Sequence, residues 1–228
     1  MQYFPISLDI RSRHCIVIGG GKVAARKVKS LLENHGQVTV ISPELDGELA
    51  VLADSGAITW LPRGYEKGDL GQAFLVIAAT DDAGVQEAVY LEAEEKNLLL
   101  NVADVPKWCN FILPATVRRG DLTISVSTAG KSPALAKKLR KNLEKEYTDD
   151  YDLMLQVLGR LRPIVLAMGF PHEKNKILFE NLLHRDMIDW LRREDWQALT
   201  DHVRAVLGKD VSLGELTGQS EQREHPPE

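Results

Sequence analysis

The sequence predicts an α/β fold, a doubly wound parallel sheet followed by a small α+β segment and a C-terminal helical domain. Three observations carry this. The first 113 residues alternate short apolar, β-branched runs with helical patterns, the signature of a parallel sheet covered by helices. A glycine-rich turn joins the first such run to the first helix. Beyond Tyr151 the strand pattern stops and only helical periodicity remains.

In order, Cys15-Ile-Val-Ile18 reads as a strand ending at Gly19-Gly20-Gly21. Lys22 to Asn34 follows as a helix with Val23, Ala24, Lys27, Leu31 and Leu32 near one face, stopped at Gly36. Val38 to Ile41 is the second strand, Glu44 to Ser55 a helix ending at Gly56, and Ile58 to Leu61 a third strand. Phe74 to Ala79 is the most apolar run, as expected of a strand buried on both faces. Asp82 to Lys96 is a long helix and Leu98 to Val102 a fifth strand. The order βαβαββαβ is that of a doubly wound nucleotide-binding domain. Next, Phe111-Ile-Leu-Pro114 and Leu122 to Val126 look extended, joined through the turn sequence Arg118-Arg-Gly-Asp121. Ser132-Pro133 opens a helix to about Glu146, with proline where a missing N–H is harmless. Tyr151 to Leu207 reads as all helix, broken near Gly169-Phe-Pro171, and the polar stretch from Val211 is expected to be disordered. The expected divisions are 1–113, 114–147, 148–210 and 211–228.

The composition, 44% hydrophobic and 27% charged, belongs to a globular chain long enough to bury its own core. Met1 to Leu8 has no signal-peptide pattern, and no apolar run reaches the roughly 18 residues that a bilayer span needs. Two cysteines, Cys15 and Cys109, make no disulfide framework, so a cytoplasmic location is expected. The net charge of −5 argues against nucleic acid as a partner. It is unevenly spread, however: Lys107 to Lys145 holds nine basic residues against two acids. That excess is either a solvated basic face or a landing place for an anionic ligand.

Gly19-x-Gly21-x-x-Ala24 sits between a strand and a helix, where a dinucleotide fingerprint must sit. Gly19 permits the tight turn, Gly21 lets the backbone approach a pyrophosphate, and Ala24 allows close packing of helix on strand. The pyrophosphate would rest on the N–H groups of the helix start at Lys22 and Val23. The acid expected at the end of the second strand is missing. Ser42, Pro43 and Glu44 stand there, and serine bonds a hydroxyl or a phosphate, so NAD and NADP both remain open. Thr80, after Ala78-Ala79, closes the fourth strand with small residues, which suits either passage of adenine or ribose or plain packing.

Three stretches go beyond a generic Rossmann domain: Cys15 to Lys27; Asn101-Val-Ala-Asp-Val-Pro-Lys107 with Phe111-Ile-Leu-Pro-Ala115; and Ser125-Val-Ser-Thr-Ala-Gly-Lys-Ser-Pro-Ala-Leu-Ala136. With Ala78-Ala-Thr-Asp-Asp82 between the first two, they resemble the siroheme synthase N-terminal family, from about Phe4 to about Leu143. That family comprises precorrin-2 dehydrogenases, some of which are also sirohydrochlorin ferrochelatases. The length matches the stand-alone form without the methyltransferase domain that is fused to this module in some bacteria. The resemblance implies NAD-dependent oxidation of precorrin-2 to sirohydrochlorin, with Fe(II) as a second substrate in bifunctional members. It also implies a homodimer in which residues 114–147 serve dimerisation. The basic segment then has a use, guiding a tetrapyrrole with eight carboxylate arms.

Asp104, just past the fifth strand, matches the aspartate that the family uses as its catalytic group. From the residues alone it reads equally as a loop cap before Pro106. Asn101, Thr128 and Lys131 are the candidate substrate contacts; Thr128 stands where the family often has serine, while Ser132 is an ordinary helix cap. The six histidines are scattered without metal-ligand spacing, and Cys109 reads as a small buried hydrophobe. The competing reading is a non-enzymatic module that senses nicotinamide redox state, which leaves Asp104 and the 127–133 stretch without a purpose.

Overall fold

The computed structural model describes residues 3–217 and divides the chain into two compact units, Met1–Leu113 and Pro114–Glu228. In the first unit β1 (His14–Ile18), β2 (Gln37–Ile41), β3 (Thr59–Leu61), β4 (Leu75–Ala78) and β5 (Leu99–Val102) form one sheet in the order β3-β2-β1-β4-β5. Every pairing is parallel. Helices α1 (Lys22–Glu33), α2 (Gly47–Asp54) and α3 (Ala83–Glu95) connect the strands. The period-2 alternation decides which side chain goes where. Cys15 and Val17 join Val38, Val40 and Ile77 in a cluster with Ala24, Val28 and Leu31 of α1. Ile16 and Ile18 point the other way, packing with Val76, Leu100 and Val102 and with Val89 and Ala93 of α3. The sheet is buried on both faces, and this is why its strands read as continuous apolar runs.

Several local expectations needed correction. The buried face of α1 is Ala24, Ala25, Val28 and Leu31, so Val23 and Lys27 are not part of its core face. The helix expected from Glu44 starts at Gly47, because Asp46 accepts a hydrogen bond from Glu48 N at 3.1 Å and caps it. Phe111 to Pro114 is not a strand. The extended residues are β6 (Ala115–Arg119), paired antiparallel with β7 (Leu122–Val126) across the two-residue turn Gly120-Asp121. Gly120 has φ +53, a left-handed backbone that glycine adopts without strain, and a Cβ there would displace the Asp152 carboxylate.

The second unit continues with α4 (Pro133–Glu146), α5 (Asp150–Ala167), α6 (His172–Leu182), α7 (Met187–Arg192), α8 (Trp196–Leu207) and α9 (Leu213–Thr217). The helical stretch therefore breaks at two places beyond Gly169. At the first, His184 Nδ1 accepts from Asp186 N at 3.1 Å; at the second, Glu194 takes φ +55 and Asp195 caps α8 through Ala198 N at 3.0 Å. The tail expected to be disordered from Val211 is ordered as far as Thr217. Ser212 and Glu215 form a reciprocal cap, and Leu216 is fully buried in the helical core. Residues 218–228 of that expected tail lie outside the described residues.

Candidate active site

The sheet order reverses between β1 and β4, and open α/β sheets bind ligands at the carboxyl ends of strands flanking such a point. The pairing Ile18↔Ala78 and Ala78↔Val102 brings the three strand ends level. Beyond them lies a cavity of about 620 Å³. One wall is the glycine turn and helix start, Gly19 to Val23 with Ser42. Another is Ala79 to Asp81 with Gln86, and the third is Ala103, Asp104 and Val105.

The turn is made by close backbone approach. Gly19 has φ +112, and a Cβ there would meet Ala79 O at 2.4 Å. A Cβ on Gly20 would meet Glu44 O at 1.9 Å and Ser42 Oγ at 2.7 Å. Gly20 stands at an unassigned position of the fingerprint, so its necessity was missed; the obstacle is a carbonyl 24 residues away in the chain. At Gly21 no described heavy atom lies within 4 Å of such a Cβ, so the backbone there is open to an approaching ligand. No side chain caps α1, and its first turn holds no acid. An uncapped helix start with positive character, bordered by a cavity, fits the pyrophosphate of a dinucleotide.

Ser42 is buried, and its carbonyl accepts from Trp60 Nε1 at 2.9 Å. Pro43 and Glu44 are exposed and do not line the cavity; Glu44 contributes its carbonyl beneath Gly20. Thr80 lies on the wall, its carbonyl accepting from Gln86 Nε2 at 2.7 Å. Gln86 is a buried polar residue that the sequence reading did not select. Asp82 caps α3 through Val85 N at 3.0 Å, which fixes the turn carrying Thr80 and Asp81.

Asp104 takes φ +60, a left-handed backbone uncommon outside glycine, within the turn after β5. Lys27 lies within its electrostatic reach: burial and the charge of Arg26 lower the lysine's pKa, while Asp104 and Cys109 raise it. Asn101 does not line the cavity; its amide donates to Phe111 O at 3.1 Å. Thr128 and Lys131 lie in the second unit within the Ala129-Gly130 turn, where Thr128 Oγ1 accepts from Ser132 N at 3.2 Å and Thr128 O accepts from Lys131 N at 3.0 Å. Ser132 caps α4 by accepting from Leu135 N at 3.2 Å. Among the described residues no group of three or more His, Cys, Asp or Glu is arranged to hold a metal. None of the described helices is long and apolar enough to cross a membrane.

The chain is similar to known proteins over most of its length. The family described as putative NAD(P)-binding matches residues 6–115, and the sirohaem biosynthesis protein central family matches residues 119–146. The siroheme synthase of Nitrosococcus oceani is 43% identical over 183 residues, 80% of this chain and 39% of that protein. The siroheme synthase of Hydrogenovibrio crunogenus is 36% identical over 223 residues, 96% of this chain and 46% of its own length. The chain thus spans less than half the length of these curated relatives. Among solved structures, SirC, a precorrin-2 dehydrogenase, superposes with a TM-score of 0.73 at 25% identity, over 87% of this chain and 99% of SirC. With both segments matched in order and siroheme synthases aligned over nearly its whole length, the chain belongs to the siroheme synthase N-terminal family.

Proposed function

We propose that the protein is a precorrin-2 dehydrogenase that oxidises precorrin-2 to sirohydrochlorin with NAD. The observation that carries this is that one cavity is lined both by the glycine turn and by Asp104. When bound, the dinucleotide supplies the hydride acceptor. The protein does the rest. The uncapped start of α1 at Lys22 and Val23 holds the pyrophosphate, and Gly19 and Gly21 let it approach. Thr80, held by Gln86, borders the path of the ribose. The Asp104 carboxylate accepts the proton that leaves the tetrapyrrole as its hydride departs, so substrate loses one hydride and one proton. Thr128, Lys131 and the basic residues of α4 receive the carboxylate arms. NAD over NADP follows the family resemblance. It also agrees with Arg63, a cation beyond β3 whose guanidinium is already held by both oxygens of Asp69 at 2.7 Å.

In bifunctional members the same carboxylate would strip the pyrrole protons as Fe(II), a substrate here, enters sirohydrochlorin. The homodimer remains part of this reading, and the exposed Leu135 and Leu139, one turn apart on α4, are apolar surface that a dimer would cover. So does a cytoplasmic location, consistent with both cysteines being free thiols. The test is direct: precorrin-2 and NAD incubated with the protein yield NADH and the absorption spectrum of sirohydrochlorin. If neither product appears with NAD or NADP, the assignment fails. Added Fe(II) accelerates metallation of sirohydrochlorin above the uncatalysed rate if the second activity is present.

A further inference from the structure

The turn that presents Asp104 is gripped from below by side chains that the proposed chemistry does not use. Left-handed backbone at a non-glycine residue is strained and persists only where neighbours over-determine it. Here the neighbours are identifiable. Val102 N donates to Cys109 Sγ at 3.2 Å, and the thiol lies 3.3 Å from Val102 O and 3.5 Å from Val105 O, either of which can accept its proton. One sulfur therefore touches the backbone on both sides of Ala103-Asp104. Asn101 Nδ2 reaches the same sulfur at 3.7 Å while donating to Phe111 O. Asn110 then completes the open edge of β5: its Oδ1 accepts from Leu100 N at 2.8 Å, and its Nδ2 donates to Leu98 O at 2.7 Å. Residues 109–111 occupy the side of β5 where a sixth strand would pair. Cys15 offers a contrast: it lies in the apolar cluster under α1, and burial pushes its thiol up to about 11.

We propose that Cys109 is a positioning residue for Asp104, its thiol fixing both ends of the Asp104 turn so that the carboxylate is held at the cavity wall. This rests on Asp104 being the reacting group. Alanine at 109 can neither donate nor accept, and releases the turn. Serine keeps both roles with a shorter reach. In Cys109→Ala, kcat for precorrin-2 oxidation falls about tenfold or more, since small misplacements of a reacting group have large effects. The Kd for NAD stays within about twofold, because the glycine turn is untouched. Cys109→Ser recovers most of the lost kcat. Amide hydrogen exchange quickens over residues 102–109 in Cys109→Ala, while residues 14–18 exchange as before. A kcat for Cys109→Ala within about twofold of the natural protein, or an equal loss in both variants with weakened NAD binding, overturns the proposal. If Cys109→Ala does not fold, Cys109→Val, which fills the site but neither donates nor accepts, decides it: lowered kcat at unchanged NAD Kd supports the role, and unchanged kcat overturns it. Absence of turnover in the natural protein, or full turnover in Asp104→Ala, instead defeats the functional assignment. The exchange measurement then still judges the grip, because unchanged exchange over 102–109 removes it whatever the substrate.

Discussion

Two glycine turns in this chain each lead into a helix, and they are built to opposite ends. At Gly19–Gly21 the turn is squeezed against the backbone of Ala79 and Glu44, and the helix it opens has no side-chain cap. At Ala129-Gly130 the turn satisfies itself. Ser127 Oγ accepts from Ala129 N at 3.2 Å, Thr128 Oγ1 from Ser132 N, and Ser132 Oγ from Leu135 N. Gly130 has φ +79 with no described heavy atom near its would-be Cβ. The first turn engages Gly19 N, which donates to Ile41 O at 2.9 Å, but leaves the helix start after it without a side-chain cap, whereas the second turn engages its donors through its own hydroxyls. The same contrast runs through the cores. The buried polar residues among those described, Ser42, Gln86 and Glu92, all lie in the first unit, and the core cluster of the helical region is apolar.

This comparison can be broken or sharpened by experiment. The largest effect is expected at the wall facing the first turn: Asp104→Ala should lower turnover by roughly 10²–10⁴-fold, the range for loss of a positioned general base. Its NAD affinity, read by calorimetric titration, should not change; normal turnover would remove Asp104 from the chemistry. Next, Gly20→Ala should destabilise the protein by about 3 kcal/mol in denaturant titration and abolish NAD binding, because the Glu44 carbonyl cannot move without moving the end of β2. Tight NAD binding by this variant would show that the turn has slack.

A smaller effect should separate the polar interior of the first unit. Burial by itself would raise the pKa of Glu92, but hydrogen bonds from Tyr65 and Gly68 and the nearby Lys96 ammonium outweigh it and hold the carboxyl below its ordinary value. A carboxylate depressed in the folded state stabilises it above the unfolded pKa, and that contribution is lost as pH falls through the folded value. Thermal stability should therefore decline as pH drops below about 4.5, and Glu92→Gln should flatten that decline. An identical acid profile in the variant would count against Glu92. The smallest effect is expected at the second turn. Ser132→Ala should cost about 1 kcal/mol as a lost helix cap, with NAD binding unchanged. A loss of NAD affinity there would mean that the two turns are not independent.

The strand pattern, the glycine turn and the place of Asp104 after the fifth strand were all legible in the sequence, because each follows from local rules. Period-2 alternation, glycine spacing and a short apolar run need no distant partner to be read. The features that were missed or misread depend on partners remote in the chain. Gly20 is constrained by a carbonyl of the loop after β2, Ser42 is fixed by the indole of Trp60, and Leu216 is ordered by a helical core in which Arg160 also donates to its carbonyl at 2.8 Å. Phe111 to Pro114 looked like a strand by composition. The edge of β5 is instead completed by Asn110, with Cys109 and Asn101 beside it, so those residues pass without pairing.

By itself, then, the sequence determined the sheet, its glycine turn and the family to which the chain belongs. Only the tertiary structure decided that Asn101 and Cys109 work on backbone rather than lining the cavity, and that the helix start at Lys22 stays uncapped while the one at Pro133 does not. The physical reason is that local patterns set which groups need partners, whereas packing sets which partners they find.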